Sequence, residues 1–221
     1  MANLFTLDEK GVVLAVLFGI AILFFGQNYG LFFLVDIIGF LALSAIVTEV
    51  GRKKKEGIGT YEHARGWKNV VSNGMVPVAV SAIFYANGLL GSPVAPSLIA
   101  VAYIASVAAV TADKFSSEIG VLDNEPTMLM TLKKVKKGVS GGVTLLGLGA
   151  SLLGALIISS SALYVSGSMA LVGVLTLCGF FGSIVDSILG YYEEEGIGNK
   201  YTSNFACSLA GVALSAVFLV M

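Results

Sequence analysis

The sequence predicts an all-α fold: a polytopic membrane bundle of about seven transmembrane helices with a cytoplasmic amino terminus. Three observations carry that prediction. First, the 221 residues are 56% hydrophobic and only 12% charged, whereas soluble domains hold roughly 25% charged residues. With a mean hydropathy of +0.89, a compact water-soluble body could not bury this apolar surface. Second, seven apolar runs approach spanning length, at roughly 10–26, 29–49, 70–89, 95–112, 140–162, 168–190 and 202–221. Third, all thirteen Lys and Arg residues fall on one side of those runs or at its border. The chain reads as one integral-membrane domain, 1–221, with cytoplasmic connections near 50–69, 113–139 and 191–201.

Each run has its own reading. The first follows "MANLFTLDEK", short and acidic, with no small-residue cleavage site behind the run; it predicts a retained helix, not a signal peptide. The second carries Asp36 in its outer half among bulky neighbours. That carboxyl is expected to be protonated or paired with a polar group of the outer leaflet, and it is assigned no role. The third follows the polar stretch "GTYEHARGWKNVVSNG" and the fourth runs into "ADKFSSEIG". The fifth opens from "KKVKKGVSGG", the sixth contains "GSIVDSILG", and the seventh closes the chain. Cys178 and Cys207 sit inside apolar runs without a CxxC spacing or nearby His, and read as small buried hydrophobes. The letters "EGIG" recur at 56–59 and 195–198 with unmatched flanks, and no repeat is inferred.

Orientation follows from the basic residues, which mark cytoplasmic connections. The outer connections "GQN", "NGLLGSPVAPS" and "YVSGS" then carry no charge. Acids, amides and glycines also crowd the inner side, beyond what topology needs. Chemistry is therefore expected at the cytoplasmic face.

Four segments hold the candidate residues. In "ADKFSSEIG", Asp113 and Ser117 share a helix face, while Glu118 lies about 140° round from Asp113 on an ideal helix. The two carboxylates need a bend to converge on a metal; alternatively Lys114 and Glu118 pair along the helix. In the Gly-rich opening of the fifth run, Ser140, Gly141 and Gly142 offer backbone N–H groups at a helix start for phosphate, with Lys137 adding charge. Lys133 and Lys134 read as border anchors. Gly147, Ser151 and Ala155, and Ala150 and Gly154, have the spacing of close helix contacts. No GxxxxGK[ST] occurs, which excludes a P-loop. Before the third run, Arg65, Lys68, Asn69 and Asn73 fall near one helix face and suit a polyanion; Asn69 is alternatively a helix cap. Trp67 reads as an interfacial anchor, and His63, the one histidine, is left unassigned. Asp186 is flanked by Gly182, Ser183, Ser187 and Gly190, on the order of 9 Å from the inner helix end. An ionisable group at that depth is a functional candidate, or else a hydrogen bond between helices.

Together these pieces suit Mg²⁺ with a nucleoside triphosphate. Asp113, Glu118 and Asp186 would serve as metal ligands and catalytic groups. Mg²⁺ takes one or two carboxylates and completes its shell with phosphate oxygens and water, and phosphoryl transfer needs positioning and charge neutralisation above all. The acceptor is expected to be amphiphilic, and no nucleic acid is expected.

At these residues the sequence resembles the integral-membrane family that contains transmembrane protein 19 and the chloroplast phytyl-phosphate kinase. "ADKFSSEIG" is similar to that family's Asp-Thr-x-x-Ser-Glu-x-Gly, with Lys114 in the Thr position. "GVSGGVT" is similar to its Gly-Thr-x-Gly-Gly-Val-Thr, with Val139 for Thr, and "GSIVDSILG" to its Gly-Ser-x-x-Asp-Ser-x-x-Gly. "GTYEHARGWKNVVSNG" resembles its loop before the third helix. The motifs occur in the family's order from about residue 30 to 192. The resemblance implies a polyprenyl-phosphate kinase using CTP or another nucleoside triphosphate, with an isoprenoid lipid phosphate as acceptor and its diphosphate as product. It also implies a looser relation to dolichol kinases and CDP-lipid synthases. Asp113, Glu118, Ser140, Gly141, Gly142, Ser183, Asp186 and Ser187 carry over by motif position. CTP:lipid-phosphate cytidylyl transfer and lipid or small-molecule transport are the competing readings.

Overall fold

A computed structural model describes residues 7–62 and 65–220; His63 lies outside the described residues. The elements are α1 (Glu9–Phe25), α2 (Gly30–Glu49), α3 (Arg52–Gly57), α4 (Trp67–Leu89), α5 (Pro96–Gly120), β1 (Thr127–Met128), β2 (Gly142–Val143), α6 (Leu145–Ser159), α7 (Ala162–Ser166), α8 (Met169–Glu194) and α9 (Lys200–Val220). The protein is an all-α polytopic membrane bundle whose only described sheet is the antiparallel pair β1–β2. Among the described residues six helices, those of α2, α4, α5, α6 with α7, α8 and α9, are long and apolar enough to span a bilayer. α1, at 17 residues, packs beside them on α4 and α2. Val13, Leu17, Ile20 and Phe24 of α1, with Leu31 and Val35 of α2, belong to an exposed apolar surface of the kind that faces lipid.

Local chemistry sets the helix ends. Asp8 caps α1, its Oδ1 accepting from Gly11 N at 2.6 Å. Pro96 opens α5, where its missing N–H has no helical partner to lose. Thr144 caps α6 through Gly147 N, and Ser168 caps α8 through Leu171 N. Several boundaries differ from the sequence reading. α5 runs on through 113–120 and α8 through 194, because their polar ends turn inward to a cavity instead of ending at the apolar border. The fifth run is not one helix: Ser140 and Gly141 precede strand β2, and the helix breaks between Ser159 and Ala162. Asn69 does not cap α4, which starts at Trp67 behind Gly66.

α5 is the central rod, contacted by α2, α4, α6, α8 and α9. Every residue from 103 to 112 is buried. Its alanines let neighbours approach closely. A Cβ on Gly182 would stand 2.7 Å from Ala109 Cβ, one on Gly211 2.6 Å from Ala105 O, and one on Gly147 3.1 Å from Gly120 Cα. The small-residue spacing noted in the sequence therefore packs α6 on α5, as such spacing does in membranes. At the uncharged face, Tyr103 stacks on Phe33 with centroids 4.0 Å apart and donates to Phe33 O at 2.8 Å. Asp36, buried there, accepts from Ser161 Oγ at 3.0 Å, so a polar partner at that end meets it as expected.

Candidate functional site

The lysine-rich face holds a cavity of about 410 Å³, walled by 59–62, 113–121, 137–144 and the facing ends of α8 and α9. Its residues divide into two poles. The acidic pole joins α5 to α8: the carboxyls of Asp113 and Asp186 stand within hydrogen-bonding reach of each other. The Ser203 hydroxyl reaches Asp186 and also Glu193. The Asn204 amide nitrogen donates to Asp186 Oδ1 at 3.3 Å and to Lys200 O at 3.0 Å. Glu193 is a third carboxylate of this pole, and its Oε2 accepts from Ser140 Oγ at 2.7 Å.

The other pole is cationic and centres on Glu118. Lys55 Nζ donates to Glu118 Oε2 at 2.6 Å, and Arg65 Nη2 to Oε1 at 2.7 Å. Lys114 pairs with the same carboxylate along α5, one of the two sequence readings for this segment. Thr48 Oγ1 adds a bond at 3.2 Å. Lys55 is wholly buried; its ammonium also donates to Val47 O at 3.1 Å and Thr48 O at 3.0 Å. A cation there satisfies terminal carbonyls of α2 and complements the negative end of its dipole. Arg65 Nε donates to Glu62 Oε2 at 3.2 Å, and Lys200 Nζ to Glu62 Oε1 at 2.8 Å. Burial pushes the Glu62 carboxyl up, but Lys200 and Arg65 outweigh it and hold the group below its ordinary value. Lys55, Arg65, Lys114 and Lys200 thus face the carboxylates of Glu62 and Glu118, leaving this pole two positive charges in excess.

The Gly-rich loop lies against the α8 side of the cavity. Gly141 has φ +77°, which suits glycine. A Cβ on it would meet Ser187 O at 2.6 Å and Tyr191 N at 2.7 Å. Gly190 is the matching glycine on α8, with the Gly141 backbone directly against it. These two glycines press the loop onto α8 and bring Ser140 to the cavity edge. The loop is not the start of α6, however. That start lies at Leu145, where Thr144 already takes the Gly147 N–H. Ser140 N donates to Glu194 Oε1 at 2.9 Å, so a carboxylate stands where the sequence reading placed phosphate.

Of the residues singled out in the sequence, Asp113, Glu118, Asp186, Lys137, Ser140, Gly141, Gly142 and Ser187 line this cavity. Lys137 also donates to Asn124 Oδ1 at 3.2 Å. Glu118 lines it without joining the aspartates: α5 continues unbent from Asp113 to Glu118, so their angular offset persists. Among the described residues no three His, Cys, Asp or Glu side chains group as a metal site. Arg65 lies behind the wall, and Asn69 and Asn73 border a second, apolar hollow with it. Lys68 Nζ sits over the rings of Trp67 and Tyr201, 5.9 and 5.7 Å from their centroids. Ser183 is buried, its carbonyl accepting from Ser187 Oγ at 3.2 Å. The sequence reading missed Lys55, Glu62, Glu193, Ser203 and Asn204. Glu62 lies in "GTYEHARGWKNVVSNG" and Glu193 in "YYEEEGIGNK", polar stretches that carried a signal for these two.

The fold and the cavity define a class: a multi-pass integral membrane protein with a polar site at one end of its bundle, built from acid- and glycine-bearing helix ends. The chain belongs to the family described as integral membrane protein DUF92, which it matches over residues 2–211. It is 34% identical over 209 residues to Uncharacterized membrane protein MJ0933 of Methanocaldococcus jannaschii, covering 93% of this chain and 82% of that protein. It is 33% identical over 188 residues to Protein PGR of Arabidopsis thaliana, covering 75% of this chain but 64% of the plant protein. No solved structure matches it.

Proposed function

We propose that the protein is a lipid-phosphate kinase, transferring the γ-phosphoryl group of CTP to an isoprenoid lipid monophosphate at the cytoplasmic face of its membrane. An oxygen of the monophosphate attacks the γ-phosphorus. A new P–O bond forms, the bond from that phosphorus to the β–γ bridging oxygen breaks, and CDP departs with the electron pair. The acceptor is already anionic, so the reaction asks for charge neutralisation more than for a general base. The supporting observation is the separation of one cavity into an acidic and a cationic pole beside an apolar, lipid-facing surface.

Two facing carboxylates with a serine and an amide at their edge are a hard-oxygen donor set that suits Mg²⁺, and Asp113 and Asp186 would hold it. Bound there, Mg²⁺ would supply positive charge to the phosphate oxygens of the nucleotide. Lys114, Lys137 and Lys200 face the same space and offset the charge of the nucleotide phosphates. Glu118 acts as a positioning residue, holding Arg65, Lys114 and Lys55 in place. The lysine-rich face is assigned to the cytoplasm by the positive-inside rule.

The test uses detergent-purified protein with Mg²⁺, a panel of lipid monophosphates, and CTP, ATP or GTP, with phosphorus NMR of the products. CDP and a lipid diphosphate are expected. Release of pyrophosphate would instead establish cytidylyl transfer, and absence of turnover with every nucleotide would retire the kinase.

A further inference from the structure

Between α1 and α2 runs an apolar cleft of about 300 Å³, lined by Val16, Gly19 and Ile20 on one side and Leu34, Ile38 and Leu41 on the other. From Val12 to Leu23 it covers about 17 Å of α1, more than half of a roughly 30 Å hydrocarbon core. Val16 and Ile20 are over half exposed, so the cleft opens sideways. Ala15 and Gly19, four apart, are small residues of the kind that lets helices approach; Gly19 meets Leu34 across the floor of the cleft.

The cleft continues into a smaller hollow of about 80 Å³, which shares Leu7, Ala15, Gly19, Leu34, Ile38 and Leu41 with it and ends on Ser44, Arg65, Asn69 and Asn73. Ser44 is 4% exposed and, among the described residues, its hydroxyl has no hydrogen-bond partner. An orphaned buried hydroxyl is destabilising, which an acceptor supplied by a ligand would relieve. Arg65 belongs to the pole with two positive charges in excess, and its guanidinium reaches through to Glu118 in the polar cavity.

We infer that this cleft is the chain-binding subsite for a single-chain lipid monophosphate, the chain lying between α1 and α2 and the phosphate at Ser44, Asn69 and Arg65. The inference rests on the kinase reading for its role, but the site is tested without turnover. One narrow groove takes one chain, and an apolar groove ending on an arginine, an amide and an unpaired hydroxyl complements an anionic head with acceptor oxygens.

The experiment is photolabelling of the detergent-solubilised protein by a prenyl monophosphate carrying a diazirine on its terminal isoprene unit, without nucleotide, followed by peptide mapping. Adducts are expected on α1 and α2 around Val16 and Leu34, suppressed by unlabelled prenyl monophosphate but not by the prenyl alcohol or phosphatidylglycerol. Ser44→Ala should lower the yield about fivefold, the cost of one hydrogen bond. Gly19→Leu, whose side chain would enter the cleft beside Leu34 Cδ1, 3.3 Å from the Cβ position, should abolish labelling, while the melting temperature of the Ser44 variant does not fall. Adducts on Ile46, Phe115 or Leu146 instead, equal competition by phosphatidylglycerol, or undiminished labelling in both variants would overturn the subsite. Selective labelling without kinase activity would retire the kinase and keep the cleft; turnover without it would do the reverse.

Discussion

At the residue scale, two carboxylates of one cavity have different duties, and substitution separates them. Asp186→Asn is expected to lower turnover by about 100-fold or more, as loss of a charged group acting in the transition state does, with an unchanged melting temperature. Glu118→Gln should act on stability first. It leaves the Lys55 ammonium at 0% exposure without its counter-charge, a loss of about 3–5 kcal/mol for a broken buried pair, read as a lowered melting temperature in detergent. Glu62 makes a smaller, pH-dependent contribution. Its carboxyl is held below the ordinary 4.5 by Lys200 and Arg65 against the opposing effect of burial. The stability it adds is therefore present above about 4.5 and lost as pH falls through the depressed value. With its side chain 41% exposed, the effect is at most about 1 kcal/mol; a Glu62→Gln variant should show a flatter melting temperature against pH in the acid range. Asp113 and Asp186 were legible in the sequence because each lies near the polar end of an apolar run. Lys55 was not, because Arg52, Lys53, Lys54 and Lys55 form one basic run, and which of them turns inward is decided by where α2 ends.

At the scale of elements, the glycines divide by what surrounds them. Gly141→Ala forces a Cβ into the backbone of α8 at a positive φ; about 1–3 kcal/mol of strain should detach the loop and reduce both thermal stability and turnover. Gly149 in α6 has nothing within 4 Å of its Cβ position, so Gly149→Ala should raise stability by roughly 0.5–1 kcal/mol, seen as a higher melting temperature with turnover retained. The sequence revealed the close α5–α6 contact through the spacing of Gly147, Ser151 and Ala155. It did not reveal that helix α6 starts only at Leu145, because "GVSGGVT" is apolar enough to read as continuous with the leucine-rich helix behind it. The strand pairing of Gly142 with Met128 depends on a partner fourteen residues away, which no local period records.

At the scale of the whole molecule, the segregation of charge to one end was visible in the sequence alone, since basic residues mark their side of the membrane and the opposite loops carry none. The cleft between α1 and α2 was not visible, because a groove depends on how two packed helices and their side chains are set against each other. The proposed orientation can be checked with a membrane-impermeant maleimide. Cys178 and Cys207 are fully buried and should stay silent in the folded protein. Ser92→Cys should label in intact cells, and Lys136→Cys only after permeabilisation. The unbroken course of α5 has one further consequence. Asp113 and Glu118 ride on a single stiff shaft, separated by about 7.5 Å of axial rise, so the spacing between the two poles is a ruler graduated in helical steps. One alanine inserted after Lys114 would advance the mark by about 1.5 Å but swing it by about 100°, taking Glu118 away from Lys55 and Arg65 and breaking its i,i+4 spacing to Lys114; distance and bearing on this gauge cannot be adjusted separately.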